Sequence, residues 1–173
     1  PISEEDLTRY VSGPRTGLFG RGEVLYVKRR VERSPRRVVV DLVALGHLEA
    51  VAHLDDPGPG PEGGAVPVHL DVEAGPRYRL EPVEILREED LEVDVLEAIR
   101  LAQIDITPLS PGEDLPYEPR VPGRVRSSVL DALASHGYLD AEVRVEADVD
   151  EESHLVQMEI SVVPGLHVTI SEV

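Results

Sequence analysis

The sequence has 173 residues, of which 41% are hydrophobic and 29% are charged, as in a folded protein of one or two domains. Its net charge of −17 argues against a nucleic-acid partner, because binding to phosphates needs a basic surface. The absence of cysteine excludes disulfides, thiol catalysis and cysteine-based metal sites.

A helix start is predicted near the beginning of the chain, with Ser3 as the N-cap and Asp6 as its partner in a variant of the capping box. Residues 13–22 are rich in glycine and predict a flexible turn, since no strand feeds them and no phosphate-loop lysine follows. The next segment is basic, and two interpretations stay open: a solvated face at a helix start, or a contact with an acidic partner. Its cations are Lys28, Arg29, Arg30, Arg33, Arg36 and Arg37.

Ser34 and Pro35 predict the start of a second helix, with Ser34 as the N-cap and Pro35 at the first helical position. This helix is expected to run to Leu45. Alternating apolar residues and a cluster of turn residues then predict a strand at 48–54, an exposed loop at 55–64 and a returning strand at 65–73.

The same order of elements returns in the second half of the chain. A strand is predicted at residues 78–85 and a helix at 91–99, and five prolines make residues 105–123 irregular. The next helix ends at Gly137, since glycine adopts the positive φ that often follows a helix. Alternation over residues 141–147 then predicts a half-buried strand.

Two landmarks recur at nearly the same interval. Gly46 and Gly137 each separate a helix from a strand and lie 91 positions apart, and Gly75 and Gly165 lie 90 apart. The chain is therefore predicted to repeat an α+β module of order β-α-α-β-β, a three-stranded mixed sheet with two helices on one face. Three segments follow: residues 1–75, a module without its first strand; 76–164, a complete module; and 165–173, the opening strand of a following domain.

This order of elements resembles a POTRA domain array of the BamA/TamA-type outer-membrane barrel-assembly and translocation superfamily. The family's helix-to-strand motif is matched by Gly137-Tyr138-Leu139-Asp140-Ala141, whereas Gly46-His47-Leu48-Glu49-Ala50 has histidine in place of tyrosine. The segment from Gly75 through Tyr78 to Leu80 resembles the strand that links one POTRA domain to the next. The residues assigned to this structural motif are Gly46, Gly75, Gly137, Tyr138 and Gly165.

The resemblance implies a scaffold without enzymatic activity, located in the periplasm of a Gram-negative bacterium and joined in the full-length chain to a C-terminal membrane barrel. Its partners would be unfolded outer-membrane protein clients and a periplasmic chaperone or accessory protein. An alternative within the fold is the substrate receptor of a two-partner secretion transporter. An alternative from another class is a metal-dependent or hydrolytic α+β enzyme.

A three-stranded sheet leaves backbone N–H and C=O groups unpaired at its edges, where an extended chain can add as a further strand. In the POTRA family the second strand of the module is usually the open edge. The resemblance maps the partner-binding residues to Glu49, Ala50, Val51, Ala52, His53 and Leu54 in the first module, and to Asp140, Ala141, Glu142, Val143, Arg144 and Val145 in the second.

No catalytic, cofactor-binding or metal-binding residues are predicted. The six histidines show no paired ligand spacing, although His53 and His69 are expected to face one another across a hairpin as a surface pair. The acidic run at residues 88–90 is best explained by the dipole of a helix start. Four further acidic residues match no calcium loop and are assigned to solvated turns: Asp55, Asp56, Asp148 and Asp150.

Overall fold

The structure is a computed structural model that describes residues 9–10, 27–55, 68–104 and 106–169. The chain divides into two compact units, Pro1–Pro76 and Arg77–Val173. Both helices and sheets are present, which confirms the predicted α+β class. The features outside the described residues are the helix start at Ser3 and Asp6, the turn at 13–22, most of the loop at 55–64, the beginning of the strand at 65–73 and the last four positions of the terminal strand.

In its described part, the first unit has helix α1 (Lys28–Ala44) and an antiparallel pair of strands, β1 (Val51–Leu54) and β2 (Leu70–Glu73). The helix buries one apolar stripe against this pair, because Val38 and Leu42 recur at helical spacing. The residues that pack together in this core are Val38, Leu42, Ala50, Tyr10, Ala52, Leu70, Val72 and Ala74.

Helix α1 begins at Lys28, so the predicted start at Ser34 is wrong. Ser34 lies inside the helix, fully buried, and its Oγ donates a hydrogen bond to the carbonyl of Val31 at 2.6 Å. That carbonyl would ordinarily accept the N–H of position 35, which Pro35 lacks. The Ser-Pro pair is typical of a helix start, but here the serine replaces the hydrogen bond that an internal proline removes.

The six cations predicted at a helix start all lie on α1, between Lys28 and Arg37, and all six are exposed. Lys28 pairs with Glu32 one turn later at 3.8 Å, and the guanidinium of Arg37 lies 5.9 Å from the centre of the Tyr10 ring. Exposed pairs of this kind contribute little to stability. Within the unit the six cations face solvent, and a contact of this segment with an acidic partner stays a prediction.

The second unit is built around a mixed sheet whose central strand is β6. Strand β5 pairs with β6 in antiparallel register, and the short strands β3 and β4 pair with its other side in parallel. Helices α2 and α3 pack against one another, and α3 also packs on β5. The elements are β3 (Arg79–Leu80), β4 (Glu84–Ile85), a 3₁₀ turn (Glu88–Asp90), α2 (Val93–Gln103), α3 (Val121–Ser135), β5 (Glu142–Asp150) and β6 (Leu155–Val163).

The core of this unit is aliphatic, as the low aromatic content indicates, with Tyr78 as its largest fully buried side chain. The two helices contribute Val95 and Ile99 from α2, and Val125, Val129 and Leu133 from α3, at the spacing that places them on one face. Strand β6 contributes Val156, Met158 and Ile160. None of the helices in the described part of the chain is both long and apolar enough to cross a membrane.

The strand predicted as continuous over residues 78–85 is interrupted. Arg79 pairs with Leu155 and Leu80 with Val156, but Glu84 pairs with Glu159 and Ile85 with Ile160. Three residues, 81–83, therefore stand against two on β6, which is the signature of a β-bulge. Pro82 lies in this bulge and cannot donate to a ladder, so proline explains why pairing stops and resumes one residue out of step.

The sheet face opposite the helices is acidic. From Glu142 to Asp148 of β5, exposed residues alternate with half-buried or buried ones, as predicted over residues 141–147, and the last two residues of the strand are exposed as well. Glu146 lies directly opposite Glu159 of β6 in the ladder, and Arg144 pairs with Glu146 at 2.5 Å. Further exposed carboxylates on this face belong to Glu142, Asp148 and Glu84.

Candidate functional site

Each of the two candidate edge strands begins just after the same kind of helix end. At the end of α3, the N–H of Gly137 bonds to the carbonyl of Ala134 and the N–H of Tyr138 to that of Leu133, both at 3.0 Å. This is the Schellman pattern, and the φ of 89° at Gly137 fits it. Helix α1 ends with the same bonds 91 positions earlier, in which the N–H groups of Gly46 and His47 bond to the carbonyls of Val43 and Leu42.

A second glycine closes over the turn in each unit. Gly165, with φ of 76°, lies so close to Asp140 that a Cβ would be 2.9 Å from the Asp140 carbonyl oxygen. In the first unit Gly75, with φ of 69°, faces Glu49, and a Cβ would be 3.2 Å from the Glu49 Cβ. Asp140 and Glu49, the first residues of the two predicted binding segments, are thus backbone contacts of glycines.

Tyr138 is structural rather than exposed for binding. Its side chain is 4% exposed, its ring centre lies 4.9 Å from that of His167, and its hydroxyl lies 3.1 Å from a carboxylate oxygen of both Glu92 and Asp94. Burial, together with these two carboxylates, raises the pKa of Tyr138 to about 12. At the equivalent position of the first unit, His47 Nδ1 lies 3.1 Å from the carbonyl of Gly75.

Strand β5 is bonded on one side only within the described part of the chain. Because the N–H of Leu86 donates to Ile160, the even-numbered residues of β6 face β4 and its odd-numbered residues face β5. The register then directs the backbone groups of even-numbered β5 residues to β6. The backbone groups of the odd-numbered residues point away from the sheet: Val143, Val145, Ala147 and Val149.

One of these outward groups has a side-chain partner. The Nε–H of Arg126, on α3, donates to the carbonyl of Val143 at 3.0 Å. Arg126 and Leu130 of α3 and Val143 line a shallow groove of about 500 Å³ beside the edge. The sequence prediction omitted Arg126, because only the packing of α3 on β5 brings an exposed helix residue to a strand carbonyl.

The edge of the first unit is shorter. The N–H of Asp55 donates to the carbonyl of His69, so the backbone groups of Ala52 and Leu54 point away from β2. His53 lies opposite Asp71 in the register, so the predicted pairing of His53 with His69 is wrong. Because Val51 pairs with Glu73, the residue opposite His53 is Asp71, and His69 lies two positions before it in the sequence.

Among the described residues, no group of three or more histidine or acidic side chains could hold a metal ion. Asp150, one of the acidic turn residues, accepts hydrogen bonds from the Oγ and N–H of Ser153 and from the N–H of Glu152. These bonds lower the pKa of Asp150 and tie its carboxylate to the turn between β5 and β6.

The second unit follows the order strand, helix, helix, strand, strand, with the first strand interrupted at its bulge. This order is POTRA-like.

Solved structures similar to this chain include POTRA domains 3–5 of BamA from Haemophilus influenzae, at 17% identity and a TM-score of 0.47, covering 98% of this chain and 63% of that one. The N-terminal domain of Omp85 from Thermosynechococcus elongatus is similar at 11% identity and a TM-score of 0.46, covering 91% and 55%. CdiB from Escherichia coli is similar at 13% identity and a TM-score of 0.40, covering 95% and 25%. This chain thus spans less than two thirds of each of them. No family model and no curated protein matches the sequence.

Proposed function

We propose that this chain is a scaffold, without enzymatic activity, that binds extended polypeptide segments by adding them as strands to its sheet edges. Its place is the periplasm, as part of an outer-membrane protein assembly or translocation factor. Its partners are unfolded outer-membrane protein clients and accessory chains. The residues at the two edges are those predicted from the sequence, 49–54 and 140–145, with 1–75 and 76–164 as the two domains.

The outward row of backbone groups on β5 carries this proposal. Val143 and Val145, the outward residues of the predicted segment, offer N–H and C=O groups in the spacing of a strand, and main-chain bonds of this kind do not read sequence. Arg126 covers only one of these groups. An edge of this type suits a receptor for many different unfolded chains.

Photo-crosslinking to an unfolded outer-membrane barrel polypeptide tests the proposal, with the crosslinker placed at Val145. The variant V143P removes the outward N–H of Val143 while leaving the ladder to β6 intact, so crosslinking at Val145 should be lost. The matched control is V149P, which makes the same change at the far end of β5 and should leave crosslinking at Val145 in place. Retained crosslinking in V143P, or equal loss in both folded variants, would contradict the proposal.

Arg126 provides a second arm of the same experiment. The variant R126A frees the Val143 carbonyl for an incoming strand, so crosslinking at Val145 should increase. The variant R126K keeps the charge but loses the planar donor geometry, and it should behave like R126A if the bond to Val143 is what covers the edge. Reduced crosslinking in R126A would instead assign Arg126 to client binding.

A further inference from the structure

The second unit has an apolar groove on the side of its sheet away from β5. It lies between strand β4 and helix α2 and has a volume of about 1140 Å³. Several large apolar side chains along it are exposed to solvent rather than buried. Their exposed fractions are 81% for Val93, 58% for Leu101, 47% for Ile104 and 64% for Leu109.

The sheet edge that borders this groove is half covered by the chain itself. Along β3, the N–H of Leu80 donates to the carbonyl of Leu115, and the N–H of Tyr117 donates to that of Tyr78. Residues 115–117 therefore lie on this edge as a short antiparallel strand, with Pro116 opposite Arg79. The edge is thus one on which an antiparallel segment already fits.

Beyond the bulge at Pro82, this cover ends. The ladder of β4 uses the backbone groups of Glu84 and Leu86, so the N–H and C=O of Ile85 point outward, toward the groove. Among the described residues no backbone group bonds to this side of Ile85. An extended segment placed there would pair with the same edge of the sheet that residues 115–117 cover along β3.

The charges around the groove specify the chemistry of such a segment. Glu84 and Glu97 line it and are exposed, whereas the guanidinium of Arg100 is paired with Glu88. The groove therefore presents uncompensated negative charge beside an apolar floor. A segment in which apolar residues alternate with lysine or arginine would complement both features, since alternate side chains of a strand point to opposite faces.

We propose that the groove between β4 and α2 binds an extended segment of another polypeptide, with apolar and basic residues alternating, as a strand added at Ile85. Its apolar side chains lie against Leu101 and Ile104, and its basic side chains point to the opposite face of the sheet, near Glu84. This surface is separate from the β5 edge, and the proposal stands whether or not β5 binds clients.

A fluorescent peptide of about nine residues with alternating valine and lysine tests the proposal by anisotropy. Binding should weaken about tenfold or more in L101E, because the substitution places a carboxylate on the apolar floor, where the valine side chains of the peptide would lie. The matched control is V40E, which makes a similar change at an exposed position of α1 in the other unit, where Val40 is 54% exposed. V40E should bind the peptide as the unmodified protein does.

Two further arms separate this site from β5. The variant I85P removes the outward N–H and should weaken the same peptide, whereas V143P should leave its affinity unchanged. Amide resonances of residues 84–86 and of α2 should shift on addition of the peptide. No binding, binding unaffected by L101E and I85P, or shifts confined to β5 would overturn the proposal, as would equal binding of a peptide with glutamate in place of lysine.

Discussion

Gly137, just after α3, lies against residues 167–168. A Cβ there would lie 2.8 Å from the carbonyl oxygen of Val168, and φ is 89°. The N–H of Val168 donates to the carbonyl of Gly137, so the contact is a hydrogen-bonded one that cannot open without loss. The absence of a side chain is therefore a requirement of position as well as of conformation.

The variant G137A should destabilise the protein by about 1–3 kcal/mol, since it combines a left-handed alanine with a backbone clash. The control is G123A, because Gly123 lies within α3 with open space around its Cα. That variant should stabilise the protein by about 0.5–1 kcal/mol, because alanine loses less conformational entropy than glycine when it becomes part of a helix. Urea unfolding followed by far-UV circular dichroism measures both, and equal effects of the two substitutions would contradict the account of Gly137.

Tyr138 predicts a dependence of stability on alkaline pH. Its pKa is about 12 in the folded protein against 10.0 for an ordinary tyrosine, because of burial and the carboxylates of Asp94 and Glu92. Since the folded pKa is raised, its stabilising contribution is complete below pH 10 and is lost as pH rises from 10 to about 12.

In Y138F the decline of the urea midpoint across that interval should be shallower than in the unmodified protein. It should not vanish, because burial also raises the pKa of Tyr117. An unchanged slope would show that Tyr138 ionises equally in the folded and unfolded chains.

At the scale of the element, α1 shows how one side chain maintains a helix through a proline. The bond from Ser34 Oγ to the Val31 carbonyl lies in the core, where an unsatisfied carbonyl is costly. The helix continues past Pro35 to Ala44. Its N-terminal turns thus depend on a local pair, Ser34 and Pro35, in addition to packing.

The variant S34A should destabilise α1 by about 1–3 kcal/mol, because it leaves the Val31 carbonyl without a donor. In the background of P35A the same substitution should have little effect, since the restored N–H of residue 35 takes over that carbonyl. Native-state hydrogen exchange of α1 amides measures the four corners of the cycle. Additive losses would mean that the serine acts independently of the proline.

The elements that were predicted correctly are those whose signal is local. The apolar spacing of Val125, Val129 and Leu133 and the following glycine determine α3 and its end, and alternation determines β5. The fold class and the form of the helix-to-strand turn could therefore be read from the sequence. These signals depend on backbone geometry and burial, which act over a few residues.

The elements that were missed depend on contacts across the chain. A serine followed by a proline fits either an N-cap or a position inside a helix. Only the helical residues that precede Ser34 show that it lies inside α1. Arg126 reaches Val143 through the packing of α3 on β5. Pro82 lies inside the strand that was predicted as continuous over residues 78–85. A proline within a strand indicates an edge or a bulge, so the sequence itself carried a signal of the interruption.

At the scale of the whole molecule, the net charge of −17 sets a background of repulsion. The pairs that offset it are few and exposed among the described residues, such as Lys28 with Glu32 and Arg77 with Asp114. Self-repulsion of this kind destabilises a compact state, and salt screens it.

Raising NaCl from low ionic strength to about 0.5 M should therefore raise the melting temperature. The response should be smaller in a triple variant, E142Q/E146Q/E159Q, which removes three exposed carboxylates from the sheet face. Differential scanning calorimetry in matched buffers measures both. A melting temperature that falls with salt would show that attractive pairs dominate instead.

The opposed carboxylates of Glu146 and Glu159 also bear on how the protein would crystallise. Two molecules that stacked these faces in a lattice would bring like charges together in a dehydrated contact. Crystals with such a contact should therefore need divalent cations between the faces. Lattices grown without them should leave this face in the solvent channels.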